Sequence, residues 1–163
     1  MKKILIALLL LLGTVGCTQK AEPELFILPE GFTGVVTIIF DQSDGQEKEY
    51  QDGRRVYLIP ENGVLYTQFK PSYGILNRKF FYNQTEEELE IIELKEEIKP
   101  TVVYVLNSGN GSFSDLPKEG ISEGSTDDYP KIEFKYYLIG KPSEKDSLMG
   151  LKAKRLDSLI KAY

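Results

Sequence analysis

Few side chains in this sequence could do chemistry, and they are widely spaced. Glu30 and Glu61 each follow a proline in a turn, Pro29-Glu30-Gly31 and Pro60-Glu61-Asn62-Gly63. Two such carboxylates could do acid–base work if the turns met in space. A solvated side chain is the ordinary reading of Glu in a turn. Arg54 and Arg55 open a strand after Gly53 and could bind an anion or pair with a carboxylate. Asp41, Asp44, Asp52, Asp127 and Asp128 could offer loop oxygens to Ca²⁺, but no run has EF-hand spacing. Tyr137 could present its ring to a sugar or peptide. Ser147 and Ser158, in Asp146-Ser147-Leu148 and Asp157-Ser158-Leu159, resemble the three-residue O-glycosylation acceptor of Bacteroidetes-type bacteria. Asn107 to Ser112 is rich in glycine but lacks the Lys-Ser/Thr of a phosphate-binding loop.

The absences narrow the field further. The chain has no histidine, which removes Ser-His-Asp and Cys-His catalysis and every His-ligated metal site. Its one cysteine, Cys17, stands at the end of an export signal. Lys2 and Lys3 are the positive region, Ile4 to Leu12 the apolar run, and Gly13-Thr14-Val15-Gly16 leads to the cysteine. The apolar run is far shorter than the roughly 20 residues of a spanning helix.

Thr14-Val15-Gly16-Cys17 resembles a bacterial lipobox, with Thr14 in place of the usual Leu. The resemblance implies a signal peptide over 1–16, cut before Cys17, and a diacylglycerol on its thiol. Two or three acyl chains (palmitate and its relatives) then anchor durably where one would not. Residues 17–24 read as a polar tether ahead of a single domain, 25–163. The residue after Cys17 is Thr, not Asp, which favours an outer-membrane anchor and leaves the leaflet open. The net charge is −5, or −7 without Lys2 and Lys3, with no basic stripe, so nucleic acid is not an expected partner.

Most of the remaining chain reads as strands. The segments are Leu25–Leu28, Val35–Phe40, Arg54–Ile59, Val64–Phe69, Phe80–Tyr82, Thr101–Leu106 and Lys131–Ile139. Asp44-Gly45, Asp52-Gly53 and Asn62-Gly63 are hairpin signals, the last pairing 54–59 with 64–69. Val56, Leu58 and Arg54 are expected on one face. Residues 85–97 fit helix or strand, with strand favoured by the neighbours, and 107–129 reads as a long polar loop. Lys131 to Ile139 alternates: Ile132, Phe134, Tyr136 and Leu138 on one face, Lys131, Glu133 and Lys135 on the other. Ser143 is expected to cap a helix over about 143–162, with Met149, Ala153, Leu156, Ile160 and Tyr163 as its apolar stripe. The expected fold is mainly β: an antiparallel sandwich or partly open barrel of about seven strands with a C-terminal helix.

Phe26 to Ile38 and Asp52 to Leu65 resemble a family of small exported bacterial domains of unknown function, commonly lipoproteins. Its pattern is Pro-Glu-Gly-aromatic-x-Gly, a β-run, then Gly-x-Arg-x-x-x-Ile-Pro-x-x-Gly. The resemblance implies no activity, cofactor or ligand. The leading expectation is a non-enzymatic, membrane-tethered envelope module whose partner is an envelope protein or glycan. The alternatives are a carboxylate-based envelope enzyme, such as a glycan hydrolase, or a purely structural lipoprotein.

Overall fold

Two β-sheets face each other, and a helix covers the outer side of the second. The computed structural model describes residues 20–85, 87–114 and 130–162. The first sheet holds β3 (Tyr50–Gln51), β4 (Arg54–Leu58), β1 (Glu24–Leu28) and β6 (Arg78–Tyr82), in that order. The second holds β5 (Val64–Tyr66), β2 (Gly34–Ile39), β9 (Lys131–Gly140), β8 (Tyr104–Ser114) and β7 (Glu90–Ile91). The helix α1 spans Lys145–Ala162.

The mainly β class and the C-terminal helix are as expected, but both sheets are mixed and no barrel closes. β1 runs parallel to β4 and β6, and β2 parallel to β5. The reason lies in the turns. Asp52-Gly53 does close a two-residue hairpin between β3 and β4, with both residues at positive φ (50° and 73°). Pro60–Gly63 does not pair 54–59 with 64–69. It carries the chain from the first sheet to the second, as Pro29–Gly31 does between β1 and β2. The amide N–H of Phe32 donates to the Pro29 carbonyl at 3.1 Å, and that of Gly63 to the Pro60 carbonyl at 2.8 Å. Two similar arches therefore lie side by side. Ile27 pairs with Leu58 in one sheet and Thr37 with Val64 in the other.

The space between the sheets is filled by aromatic and branched side chains. Phe26 stacks between Tyr57 (5.0 Å between centroids) and Phe80 (4.5 Å). Val36, Ile38, Ile139 and Tyr137 meet them from the second sheet. Each fully buried side chain of this size contributes roughly 1.5–3 kcal/mol. In β4 Tyr57 enters the core between the sheets, while on the face that carries Val56 and Leu58 Val56 is buried and Leu58 is 48% exposed.

β2 reads Val-Val-Thr-Ile-Ile without polar alternation because both its faces are covered. Val36 and Ile38 face the first sheet. Val35 and Ile39 pack with Leu148 and Leu159 of the helix. The helix's buried residues are Leu148 and Leu159, with Leu156 half-buried, and not the expected stripe of Met149, Ala153 and Ile160, which are exposed. Tyr163 lies outside the described residues. Contacts with the sheet decide the face: Lys152 lies over the Tyr136 ring at 4.7 Å, and Arg155 donates to the carbonyls of Val35 and Asn62. Before the helix, Pro142–Glu144 form a 3₁₀ turn, where a Glu144 carboxylate oxygen accepts the Lys141 amide N–H at 2.7 Å.

Two further segments differ from the sequence reading. Asn107 to Ser114 is strand, not loop, paired with Lys131–Leu138 of β9. The glycines that suggested a loop sit opposite rings: Gly109 faces Tyr136 and Gly111 faces Phe134. A Cβ at either would come within 2.7 Å of those side chains. Among the described residues of 85–97, Glu88 makes a single bridge to Phe81, strand covers Glu90–Ile91, and a 3₁₀ turn follows at Ile92–Leu94.

Candidate functional site

The buried charged groups of the described residues, Glu24, Arg55 and Lys135, collect at one end, where β1, β4 and β6 begin. Glu24, expected to be tether, is the first residue of β1 and is fully buried. Lys20 to Pro23 are also tied to the domain. The Ala21 amide donates to the Ile75 carbonyl (3.2 Å), that of Glu22 to the Ser72 hydroxyl (2.9 Å), and that of Arg55 to the Pro23 carbonyl (2.9 Å).

Facing Glu24 from the second sheet is Lys135. Its ammonium donates to Glu24 Oε1 at 2.8 Å, and both side chains are at least nine-tenths buried. Alternation on β9 assigned Lys135 to a solvated face, but the first sheet covers that face. The Tyr57 hydroxyl lies 3.5 Å from the same carboxylate oxygen. Glu24 Oε2 and the Tyr137 hydroxyl here, and Thr37 Oγ1 on β2, are buried without hydrogen-bond partners among the described residues. Burial pushes the Tyr137 and Tyr57 hydroxyls well above the usual phenol range, and the nearby Glu24 charge adds to this in both. Both phenols are therefore neutral donors near pH 7, not bases.

Arginines flank the pair. Burial works against the charge of Arg55, but hydrogen bonds to Glu22 and Tyr57 hold it above its ordinary value. Arg55 also donates to the Lys70 carbonyl and stacks 4.8 Å over Phe69. Arg78 lies 5.5 Å over the Tyr137 ring and donates to the Ser108 hydroxyl at 3.0 Å. A cleft of about 160 Å³ opens here between Leu76, Arg78, Ser108, Asn110, Lys135 and Tyr137. Its lining combines cationic, amide and hydroxyl groups with the apolar surface of Leu76 and the Tyr137 ring, and contains no carboxylate.

Of the residues singled out in the sequence, Arg55 and Tyr137 come together here. Arg54 lies at the rim, donating to the Asn77 side-chain and backbone oxygens at 3.0 and 3.3 Å. Glu30 and Glu61 are exposed at the opposite end, on the two adjacent turns. Glu30 accepts from the Thr85 hydroxyl at 3.3 Å. Asp41, Asp44 and Asp52 do not gather into a metal-holding group among the described residues, and Asp127 and Asp128 lie outside them. Ser147 and Ser158 are exposed on the helix, where Ser147 donates to the Glu144 carbonyl. Cys17 and the signal lie outside the described residues. Among those described, no helix is long and apolar enough to cross a membrane. Glu24 and Lys135 were the groups sequence reasoning missed, since the only signal, a Glu directly before Leu-Phe-Ile-Leu, reads equally as the end of a linker.

Residues 20–136 match the family described as "Family of unknown function (DUF6843)". The chain belongs to this family. The matched region begins at Lys20, where the chain joins the DUF6843 domain, and holds the sequence segments 26–65 and both members of the Glu24–Lys135 pair. The whole of the helix α1 lies beyond it. No curated protein shows significant similarity to the chain. Among solved structures, the fold is similar to a candidate lipoprotein from Bacillus anthracis, with 10% identity and a TM-score of 0.46 over 74% of this chain and 71% of that one. Likeness at that level bears on neither fold nor function.

Proposed function

We propose that this DUF6843 protein is a lipid-anchored module of the bacterial cell envelope that acts by binding. The observation that carries this reading is the lone Cys17, directly after a positive region, an apolar run and a small residue. An unpaired cysteine in an exported chain calls for an explanation, and lipidation supplies one. Thr rather than Asp after Cys17 favours anchoring in the outer membrane, in the periplasm-facing or surface-facing leaflet.

A binding role is favoured over catalysis by the absence of histidine; the cleft beside Arg78 and Tyr137 offers donors without a carboxylate, and the carboxylates lining the larger cleft of about 380 Å³, Glu88 and Glu90, are neighbours along one edge of the chain. A glycan hydrolase would place two carboxylates roughly 5 to 9.5 Å apart across its substrate. The anchor is tested by Cys17→Ser. The parent protein is expected to partition into the detergent phase after Triton X-114 separation, and the variant into the aqueous phase. Detergent partitioning of both alike overturns the reading.

A further inference from the structure

The end of the sandwich that receives the N-terminal chain also carries a short apolar loop. Residues 71–77 (Pro-Ser-Tyr-Gly-Ile-Leu-Asn) join β5 to β6. Tyr73 is 53% exposed, Ile75 60% and Leu76 38%, three large apolar side chains within four residues. Lys20 forms a parallel bridge with Ile75, and the amides of Ala21 and Glu24 donate to the carbonyls of Ile75 and Asn77. Residues 20–24 therefore run beside the loop from Ser72 to Asn77. The loop's position is fixed from the other side as well, where the Tyr73 hydroxyl donates to Glu133.

Covalent geometry then limits how far this loop can stand from a lipid on Cys17. Three residue steps separate Cys17 from Lys20, a reach of at most about 11 Å even fully extended. Interfacial segments pair apolar and aromatic side chains with nearby lysines and arginines. Here Lys20 and Lys70 are exposed beside the loop, and Arg54 reaches its last residue, Asn77.

We infer that the 71–77 loop rests on the bilayer surface that holds the anchor, with Tyr73, Ile75 and Leu76 in the interfacial layer. The inference rests on the lipid-anchor reading and adds an orientation to it. The Glu24–Lys135 end faces the membrane, and the Pro29–Gly31 and Pro60–Gly63 turns point away.

The chain has no tryptophan, so one introduced indole reports on its own site. Full-length lipidated protein carrying Ile75→Trp is reconstituted into phosphatidylethanolamine–phosphatidylglycerol vesicles, with and without bromine-labelled acyl chains. Leu76→Trp is a second loop variant should the first fold poorly. Glu61→Trp, in the turn beyond the far end of β4, is the reference. The loop indoles are expected to shift to the blue and lose intensity to the brominated lipid, while the indole at 61 does neither. Vesicles that float with the protein but leave the loop indoles unshifted and unquenched overturn the inference and leave the anchor reading intact. Equal quenching at 61 and 75 also overturns it, because the domain would then lie on its side. Protein that fails to float overturns the anchor reading, and the orientation with it.

Discussion

The two ends of the sandwich are held together by different physics. At the far end, two arches with similar turns lie in parallel, held by backbone hydrogen bonds such as Ile59 N–H to the Ile27 carbonyl (2.8 Å) and Thr37 N–H to the Gly63 carbonyl (2.7 Å). Their carboxylates, Glu30 and Glu61, are exposed. At the end that receives the N-terminal chain, the sheets are joined by side chains. Glu24 and Lys135 form a buried ion pair between phenols, flanked by Arg55 and Arg78. The first kind of join is written in local turn chemistry and tolerates surface change. The second depends on residues separated by 111 positions and tolerates little.

The largest effect should come from separating the ion pair. Lys135→Met leaves Glu24 buried without its cation, and breaking a buried pair in this way costs about 3–5 kcal/mol. Glu61→Gln at the far end should stay within about 0.5 kcal/mol. Urea unfolding of both variants makes the comparison. Adding Glu24→Leu to Lys135→Met should recover much of the loss, because a well-packed apolar pair often matches a buried salt bridge. Equal unfolding midpoints for Lys135→Met and Glu61→Gln would erase the distinction between the ends.

A smaller effect separates the two turns themselves. Gly31 and Gly63 both have positive φ (66° and 72°). A Cβ on Gly31 meets nothing, whereas one on Gly63 would lie 2.5 Å from the Val35 carbonyl oxygen. Gly31→Ala should therefore cost only the left-handed strain of about 1–2 kcal/mol, and Gly63→Ala clearly more. The same unfolding experiment reads both. Equal losses would show that the neighbouring arch yields to the added methyl.

The smallest effect is a pH dependence at the loop. The hydrogen bond to Glu133, followed by burial and the Glu133 charge, raises the Tyr73 phenol to about 12. A raised phenol stabilises the fold while neutral. Its contribution is complete below the ordinary value of about 10 and lost as pH rises to about 12. Tyr73 is more than half exposed, so its share is small. Tyr73→Phe should leave stability near pH 7 almost unchanged and flatten the decline above pH 10, followed by circular dichroism. An unchanged alkaline decline would remove Tyr73 from this role.

Much of the fold was legible because it depends on short-range patterns. The strands at 34–39, 54–58 and 131–140 come from β-branched or alternating runs, and the Asp52-Gly53 hairpin from its two positive φ angles. Strand pairing was less legible. Asn62-Gly63 marks a reversal equally well whether the next strand stays in the sheet or crosses to the other, and only the second sheet's position distinguishes them. Asn107 to Ser114 was misread for a related reason. Its glycines weaken a strand in isolation, but the rings of Tyr136 and Phe134 on β9 fill the space they leave.

The sequence by itself determined the class of the fold and the residue types the chain lacks, and it carries the Cys17 motif on which the anchor proposal rests. Each is a property of residue type or of neighbours within a few positions. Tertiary structure alone decided that Glu24 and Lys135 are partners, that Tyr137 is buried with its hydroxyl beside them, and that the 71–77 loop lies against Lys20. Those contacts join chain segments 50 to more than 100 residues apart, and a charged side chain has no burial of its own until another sheet covers it.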